Sequence, residues 1–239
     1  MYQNKSAKLA VLFDMDGVLI DSNAVIERAW CEAAKMYGRE ISDEDIIKHI
    51  HGQPGPHTIR ALFNDLPLFD RQKVQEHIIY VENTASYEAI PGVAELITSL
   101  TEVGITVGIV TSGWREKIER VIEMLHIQSC ISVIVERDDV ARGKPHPDPY
   151  LLAAARLGIP ANQTVVFEDS RSGVTSAVAA GAYCVGIGGD DLLPYGAMLT
   201  IPDFRGVRVV AEGDSARVLL FTPEHCVQME MYRDGDKEK

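Results

Sequence analysis

Basic charge, long apolar runs and paired cysteines are all scarce in this 239-residue sequence. Its 23 lysines and arginines face 35 aspartates and glutamates, a formal charge of −12. That balance excludes nucleic acid or an anionic membrane as the expected partner, since both call for a basic face. A small anionic substrate stays open, because one local cation can outweigh a distant field. The first apolar run, residues 9–13, ends at Asp14. It is shorter than the roughly 7–15 apolar residues of a signal peptide and the about 20 of a spanning helix. Cys31, Cys130, Cys184 and Cys226 lie far apart with no Cys-x-x-Cys, which reads as reduced, buried thiols and a cytoplasmic address. With 46% apolar and 24% charged residues, the chain is expected to fold around a core. Internal repeats and low-complexity tracts are also lacking.

What is present is a set of short apolar runs that stop abruptly at polar residues. They cover 9–13, 106–110, 132–135, 164–167, 182–187 and, more weakly, 198–201. Such runs suit strands of a parallel sheet covered on both faces. Helical spacing fills the intervals 91–104, 115–125, 147–158 and 172–181, so the alternation predicts an α/β fold. One interval is too long: Asp14 and Thr111 lie 97 positions apart, against about 30 residues for a βαβ unit. The surplus, 22–88, holds helical patterns at 24–36, 43–50, 57–63 and 71–86. It reads as a helical insertion over the carboxyl end of the sheet. The division is therefore a core of 1–21 and 89–239 and an inserted unit of 22–88. Trp30, Phe63 and Tyr80 are expected in the core of that insertion. Alternation over 206–222 with Gly213-Asp214 predicts a hairpin, serving as an edge cover or a pairing surface, and 234–239 a charged mobile tail.

Ligands of open α/β sheets bind beyond the carboxyl ends of the strands. That rule selects Asp14, Asp16, Thr111, Ser112, Glu168 and Asp169. Two unit charges ~5 Å apart repel by roughly 3 kcal/mol at an effective dielectric of 20, so four converging carboxylates need a cation. Mg²⁺ takes oxygen ligands and retains waters that a phosphate can replace, and Lys144 supplies further positive charge. Taken singly, each residue is equally a solvated strand end or a helix cap, and Lys144 a surface lysine.

Together the residues resemble a known family. Asp14-Met15-Asp16-Gly17-Val18-Leu19-Ile20-Asp21-Ser22 is similar to the first signature of the haloacid dehalogenase (HAD) superfamily, and Val110-Thr111-Ser112-Gly113 to the second. Gly143-Lys144-Pro145-His146-Pro147-Asp148 resembles the third, and Phe167-Glu168-Asp169-Ser170 with Gly173 and Ala179-Ala180-Gly181 the fourth. Order and spacing agree over about residues 8–190, and the insertion matches a helical cap. Glu27-Arg28-Ala29-Trp30, His51-Gly52 and 143–151 carry a closer likeness to sugar- and hexitol-phosphate phosphatases of the beta-phosphoglucomutase-like subgroup.

The resemblance implies a Rossmann-like parallel sheet core with an inserted α-helical cap, and a Mg²⁺-dependent phosphatase of small sugar or polyol phosphate monoesters. Asp14 would be the nucleophile and Asp16 the general acid and base. Asp14, Asp16 through its carbonyl, Asp169 and Glu168 would hold the metal. Gly17, Thr111, Ser112, Gly113 and Lys144 would bind the phosphate, helped by the helix starting near Trp114. Within the cap, His51, Gln53, His57 and Arg60 surround the Gly52/Gly55 turn and are candidates for substrate selection; helix capping by His51 and a solvated Arg60 are the plainer alternatives. A zinc pair at His49 and His51 is not expected, because no further ligand succeeds them. A sugar phosphomutase is the nearest rival, but Ile26 and Gly55 stand where mutases carry a histidine and a phosphate-clamping arginine. A dehalogenase would need neither Asp16 nor Mg²⁺. In a receiver module the lysine comes last, whereas Lys144 precedes Glu168-Asp169. A non-catalytic sugar-phosphate sensor on the same fold is a further alternative. A small phosphorylated molecule is the expected partner, and a monomer or weak homodimer the expected state.

Overall fold

The computed structural model describes residues 10–212, 215–221 and 226–232. Six parallel strands build the central sheet in the order β5-β4-β1-β6-β7-β8. They are β1 (Ala10–Phe13), β4 (Thr106–Val110), β5 (Ile131–Val135), β6 (Thr164–Glu168), β7 (Tyr183–Ile187) and β8 (Leu199–Ile201). Each coincides with one of the six apolar runs to within a residue or two. Period-two alternation divides their side chains between two cores. Val11, Phe13, Val165 and Phe167 pack beneath α5 (Val93–Glu102) and α6 (Arg115–Met124), while Leu12 and Val166 pack against α7 (Asp148–Leu157) and α8 (Arg171–Ala179). Phe13 and Phe167, paired across β1 and β6, stack at 5.1 Å.

From β1 the chain moves outward through β4 and β5, then returns to the other side of β1 through β6, β7 and β8. That reversal opens a crevice at the carboxyl ends of β1, β4 and β6, the usual place for a ligand in such sheets. Asp14, Thr111 and Asp169 follow those three strand ends directly.

Between β1 and β4 lie α1 (Asn23–Lys35), α2 (Asp43–Asp45), α3 (Gly55–Leu62) and α4 (Leu68–Thr84). They share their own apolar cluster of Ala29, Trp30, Ala33, Ile50, Phe63, Val74 and Ile78. Trp30 and Phe63 take their expected places there, with rings 6.1 Å apart. Tyr80 does not: it is 67% exposed, because Val74, Ile78 and Val81 occupy the buried stripe of α4 and Tyr80 projects off it. The expected helix over 43–50 is also two pieces. One turn of α2, capped by Ser42, gives way to a wider π turn, Ile46–Ile50, whose last carbonyl bond comes from His51 N–H. Such π turns mark places where a helix is bent to present the next segment. A two-residue pair, β2 (Ile20–Asp21) with β3 (Glu88–Ala89), ties the two strands that lead into and out of the helices; it is too short for periodicity to reveal.

Beyond β8, β9 (Val207–Glu212) and β10 (Ser215–Phe221) form the expected antiparallel pair, and β11 (Cys226–Tyr232) adds an unexpected third strand. The Gly213-Asp214 turn and the tail at 234–239 lie outside the described residues. Cys31, Cys130 and Cys184 are free thiols, but of these three Cys184 alone is buried as expected, Cys31 within α1 and Cys130 just before β5 being half-buried. No helix among the described residues is long and apolar enough to cross a membrane.

Candidate active site

Asp14 leaves the buried end of β1 with its amide held by the Phe167 carbonyl at 3.0 Å. The chain then turns back within a few residues: the Met15 carbonyl accepts from Leu19 and Ile20 N–H, and Gly17 N–H donates to the Ile20 carbonyl at 2.9 Å. Gly17 has φ of 72°, and a Cβ there would fall on the Asp169 carboxylate. The glycine supplies room and a left-handed turn; its amide is already committed to the turn rather than aimed at a phosphate.

Lys144 organises the interior of the site. Its side chain is 1% exposed, and Nζ lies 2.8 Å from Asp14 Oδ1, 2.6 Å from Glu168 Oε1 and 3.0 Å from the Val110 carbonyl. Burial alone would favour the neutral amine, but Asp14 and Glu168 outweigh it and hold the ammonium above its ordinary value. Glu168 is fully buried and also accepts from Tyr150 Oη at 2.5 Å. Asp14 is pushed up to about 7 by burial, with Lys144 pulling down and Glu168 and Asp16 pushing up. Asp169 is raised well above the usual carboxylate range by burial and by the charges of Asp14 and Glu168, while Asn23 Nδ2 donates to it at 2.9 Å. Asp14, Glu168 and Asp169 each place an oxygen within 4.8 Å of the others. This is a set of hard oxygen donors short of positive charge, as a site for a divalent cation would be.

Thr111 lies beside them, buried, with its amide on the Val135 carbonyl and its Oγ1 accepting from Gly113 N–H at 3.0 Å. That bond leaves the hydroxyl proton free to be donated, so Gly113 acts through Thr111. Helix α6 begins immediately after, with Trp114 at its N-cap.

The inserted helices close over this floor. Gly52 has φ of 65°, and a Cβ there would strike the Ser170 side chain, so the loop after the π turn can lie directly on the loop after β6. A cavity of about 80 Å³ is left between them. Asp14, Asp16, Thr111, Ser112 and Asp169 line its core side, and Trp30, Ile50, His51, Gln53, Gln75, Ile78 and Glu82 its other side. His51 Nε2 pairs with Glu27 Oε1 at 2.8 Å. Gln53 Oε1 is buried with no hydrogen-bond partner among the described residues. His57 and Arg60 are placed elsewhere, on a neighbouring groove with Arg142, Lys144 and His146 that meets the cavity at Thr111, Ser112 and Arg137.

Sequence reasoning missed three charged residues that line this cavity, Glu82, Lys117 and Arg137. Lys117, on α6, is 1% exposed, with Nζ 2.6 Å from Asp16 Oδ1 and 2.6 Å from Glu82 Oε2. Burial opposes its charge, but Asp16 and Glu82 hold it above its ordinary value. The available signal was positional: Lys117 stands one helical turn before Val121 and beside Ile118, at the head of an apolar stripe. Ser22, Asn23 and Tyr150 were missed too, because a lone hydroxyl, amide or phenol carries no signature.

The family model of the haloacid dehalogenase-like hydrolases matches residues 11–187 of this chain. The chain is 35% identical over 179 residues to hexitol phosphatase A of Escherichia coli, covering 74% of this chain and 81% of that protein. It is 32% identical over 185 residues to validoxylamine A 7'-phosphate phosphatase of Streptomyces hygroscopicus subsp. limoneus, covering 74% and 84%. Among solved structures, a HAD hydrolase of family IA, variant 3, from Entamoeba histolytica superposes with a TM-score of 0.72 at 29% identity, covering 83% of this chain and 95% of that one. With strands, crevice and acidic cluster arranged as the four motifs require, the chain belongs to the haloacid dehalogenase-like hydrolases.

Proposed function

We propose that this chain is a Mg²⁺-dependent phosphatase that hydrolyses small sugar or polyol phosphate monoesters through a phosphorylated Asp14. The observation that carries the reading is the convergence of Asp14, Asp169, Thr111 and Lys144 at three adjacent strand ends, with Asp16 on the same cavity. The names of the two curated relatives support the substrate class.

Asp14 and Asp169, with the carbonyl oxygen of Asp16, would hold the metal. Glu168 stands behind them, committed to Lys144 and Tyr150. Bound there, the divalent cation would neutralise the converging carboxylates and the phosphoryl oxygens. Lys144, the Thr111 hydroxyl and the amide of Ser112 orient the phosphoryl group, and the positive end of α6 adds to them. An oxygen of Asp14 attacks phosphorus in line with the ester bond, which breaks as Asp16 gives its proton to the departing alkoxide. Water then attacks the phosphoryl group on Asp14, its proton passes to Asp16, and the Asp14–phosphorus bond breaks to release phosphate and restore both carboxyl groups.

Residues 22–88 act as a cap in this reading. A cavity of about 80 Å³ is far below the ~300 Å³ and upward of ordinary ligand sites, so substrate binding requires the helices to swing away, flexing at the β2–β3 pair, and to close again. His51 and the Gln53 carbonyl, which has no partner among the described residues, would then face the leaving group; His57 and Arg60 would act earlier, along the approach. Against a mutase, Ile26 and Gly55 both line the cavity and offer no cation to grip a second phosphate. The test is turnover of a panel of hexose, pentose, hexitol and glycerol phosphates with Mg²⁺. Release of phosphate, lost in Asp14→Asn, is expected; conversion of a hexose 1-phosphate to its isomer without release would favour the mutase.

A further inference from the structure

Asp16 carries unusual restraint for a group that must both give and take a proton. Its Oδ1 accepts from Ser22 Oγ at 2.5 Å and from Lys117 Nζ at 2.6 Å. Two donors on one oxygen leave the other, Oδ2, as the place for a transferable proton. The same ammonium binds Glu82, which belongs to α4 of the inserted helices, whereas Lys117 belongs to α6 of the core. Around this bridge α6 grips the end of α4: Trp114 Nε1 donates to Asn83 Oδ1 at 3.2 Å, and the Arg120 guanidinium binds the carbonyls of Asn83 and Ala85. Cations at the carboxyl end of a helix are favourably placed, so the grip is strong without help from Lys117. The ion pair therefore has something else to do.

We infer that Lys117 is a positioning residue that fixes the rotamer of Asp16, and that Glu82 makes this setting depend on the place of α4. With α4 seated, Lys117 is pinned between two carboxylates and Oδ2 of Asp16 faces the leaving group. When α4 swings out, Glu82 leaves, and Lys117 is free to move with Asp16. Proton transfer is thereby confined to the closed form. This inference rests on the phosphatase reading and on the role of Asp16 in it.

The test compares two kinds of leaving group. p-Nitrophenolate departs without a proton, whereas an alkoxide needs one. The value of kcat/KM, which reports transfer to Asp14, is measured for p-nitrophenyl phosphate and for the best alkyl phosphate of the panel. In Lys117→Met the ratio of alkyl to aryl kcat/KM is expected to fall about tenfold or more. Glu82→Gln, which weakens the tie to α4, is expected to lower it a few-fold. An equal loss on both substrates, or no loss, would show a purely structural lysine and overturn the inference. Should Lys117→Met fail to fold, Lys117→Met/Glu82→Met removes both buried charges and is read the same way. A wild-type protein that releases phosphate from neither substrate would sink the phosphatase reading, and this inference with it.

Discussion

Two lysines, each 1% exposed and each held between two carboxylates, divide the molecule between them. Lys144 lies wholly within the core: its partners Asp14 and Glu168 end adjacent strands and are nearly or fully buried. Lys117 lies on a seam, one partner in the core and one on an inserted helix, and the side chain of Asp16 is 21% exposed. The first arrangement holds wherever α4 lies, because none of its three members belongs to the inserted helices. The second can break whenever α4 moves. A charge at the chemical centre is best fixed by rigid strands, and a charge that reports closure is best shared across a moving boundary.

The largest effects should fall on the core triad. Asp14→Asn is expected to lower phosphatase turnover by about 10³-fold or more while the protein stays folded, since one of several repelling carboxylates is gone; steady-state kinetics and circular dichroism check both halves. Lys144→Met should cost about 3–5 kcal/mol in urea unfolding, because it strands two buried carboxylates. If Lys117→Met costs as much, the contrast between core and seam is wrong. Its expected cost is smaller, since water reaches Asp16, and most of it should return in Lys117→Met/Glu82→Met, with a coupling of roughly 1–3 kcal/mol in the double-mutant cycle.

Metal removal separates the two triads more cleanly. Mg²⁺ at 100 times its dissociation constant should stabilise the protein by about 2.7 kcal/mol over an EDTA-treated sample. The gain should vanish in Asp169→Asn and survive in Lys117→Met, as thermal melts with and without metal will register. A gain that survives Asp169→Asn would place the cation elsewhere.

The same division explains how much could be read from the sequence. Strands β1, β4, β5 and β6 are apolar runs that stop at polar residues, so their ends, and with them Asp14, Thr111 and Asp169, were marked by composition alone. Lys144 was marked by its setting between Gly143 and Pro145. The inserted helices gave weaker signals. Their patterns located α1, α3 and α4, but not the π turn before His51, whose wider spacing shifts the register of the residues after it. Tyr80 was misplaced because an aromatic residue next to a buried stripe looks like part of it. Lys117 was hidden for the opposite reason: on a helix of mixed charge, a lysine reads as solvent-facing until its partners, 101 and 35 positions away, are known. Contacts between regions far apart in sequence leave no local pattern.

The smallest effect should come from the inserted helices themselves. His49 Nδ1 and His57 Nε2 lie 3.3 Å apart, so one ring donates to the other only while at least one is neutral. Burial holds His57 below the ordinary 6.5, with the charges of His49 and Arg60 acting in the same direction. A depressed histidine favours the folded state at pH above 6.5, and that contribution disappears as pH falls through its lowered value. In the core, Lys144 keeps its proton throughout this range, and Asp14, pushed up to about 7 by burial, favours the folded state increasingly as pH falls, so neither produces an acid loss. Thermal melts of the Mg²⁺-loaded protein between pH 7.5 and pH 5 should therefore show a shallow loss that His57→Gln removes. Hydrogen exchange should place the loosening in α3 and the π turn rather than in β1 or β6. Loosening that began at the strand ends would mean that the core, and not its cover, is the part of this molecule that acid opens first.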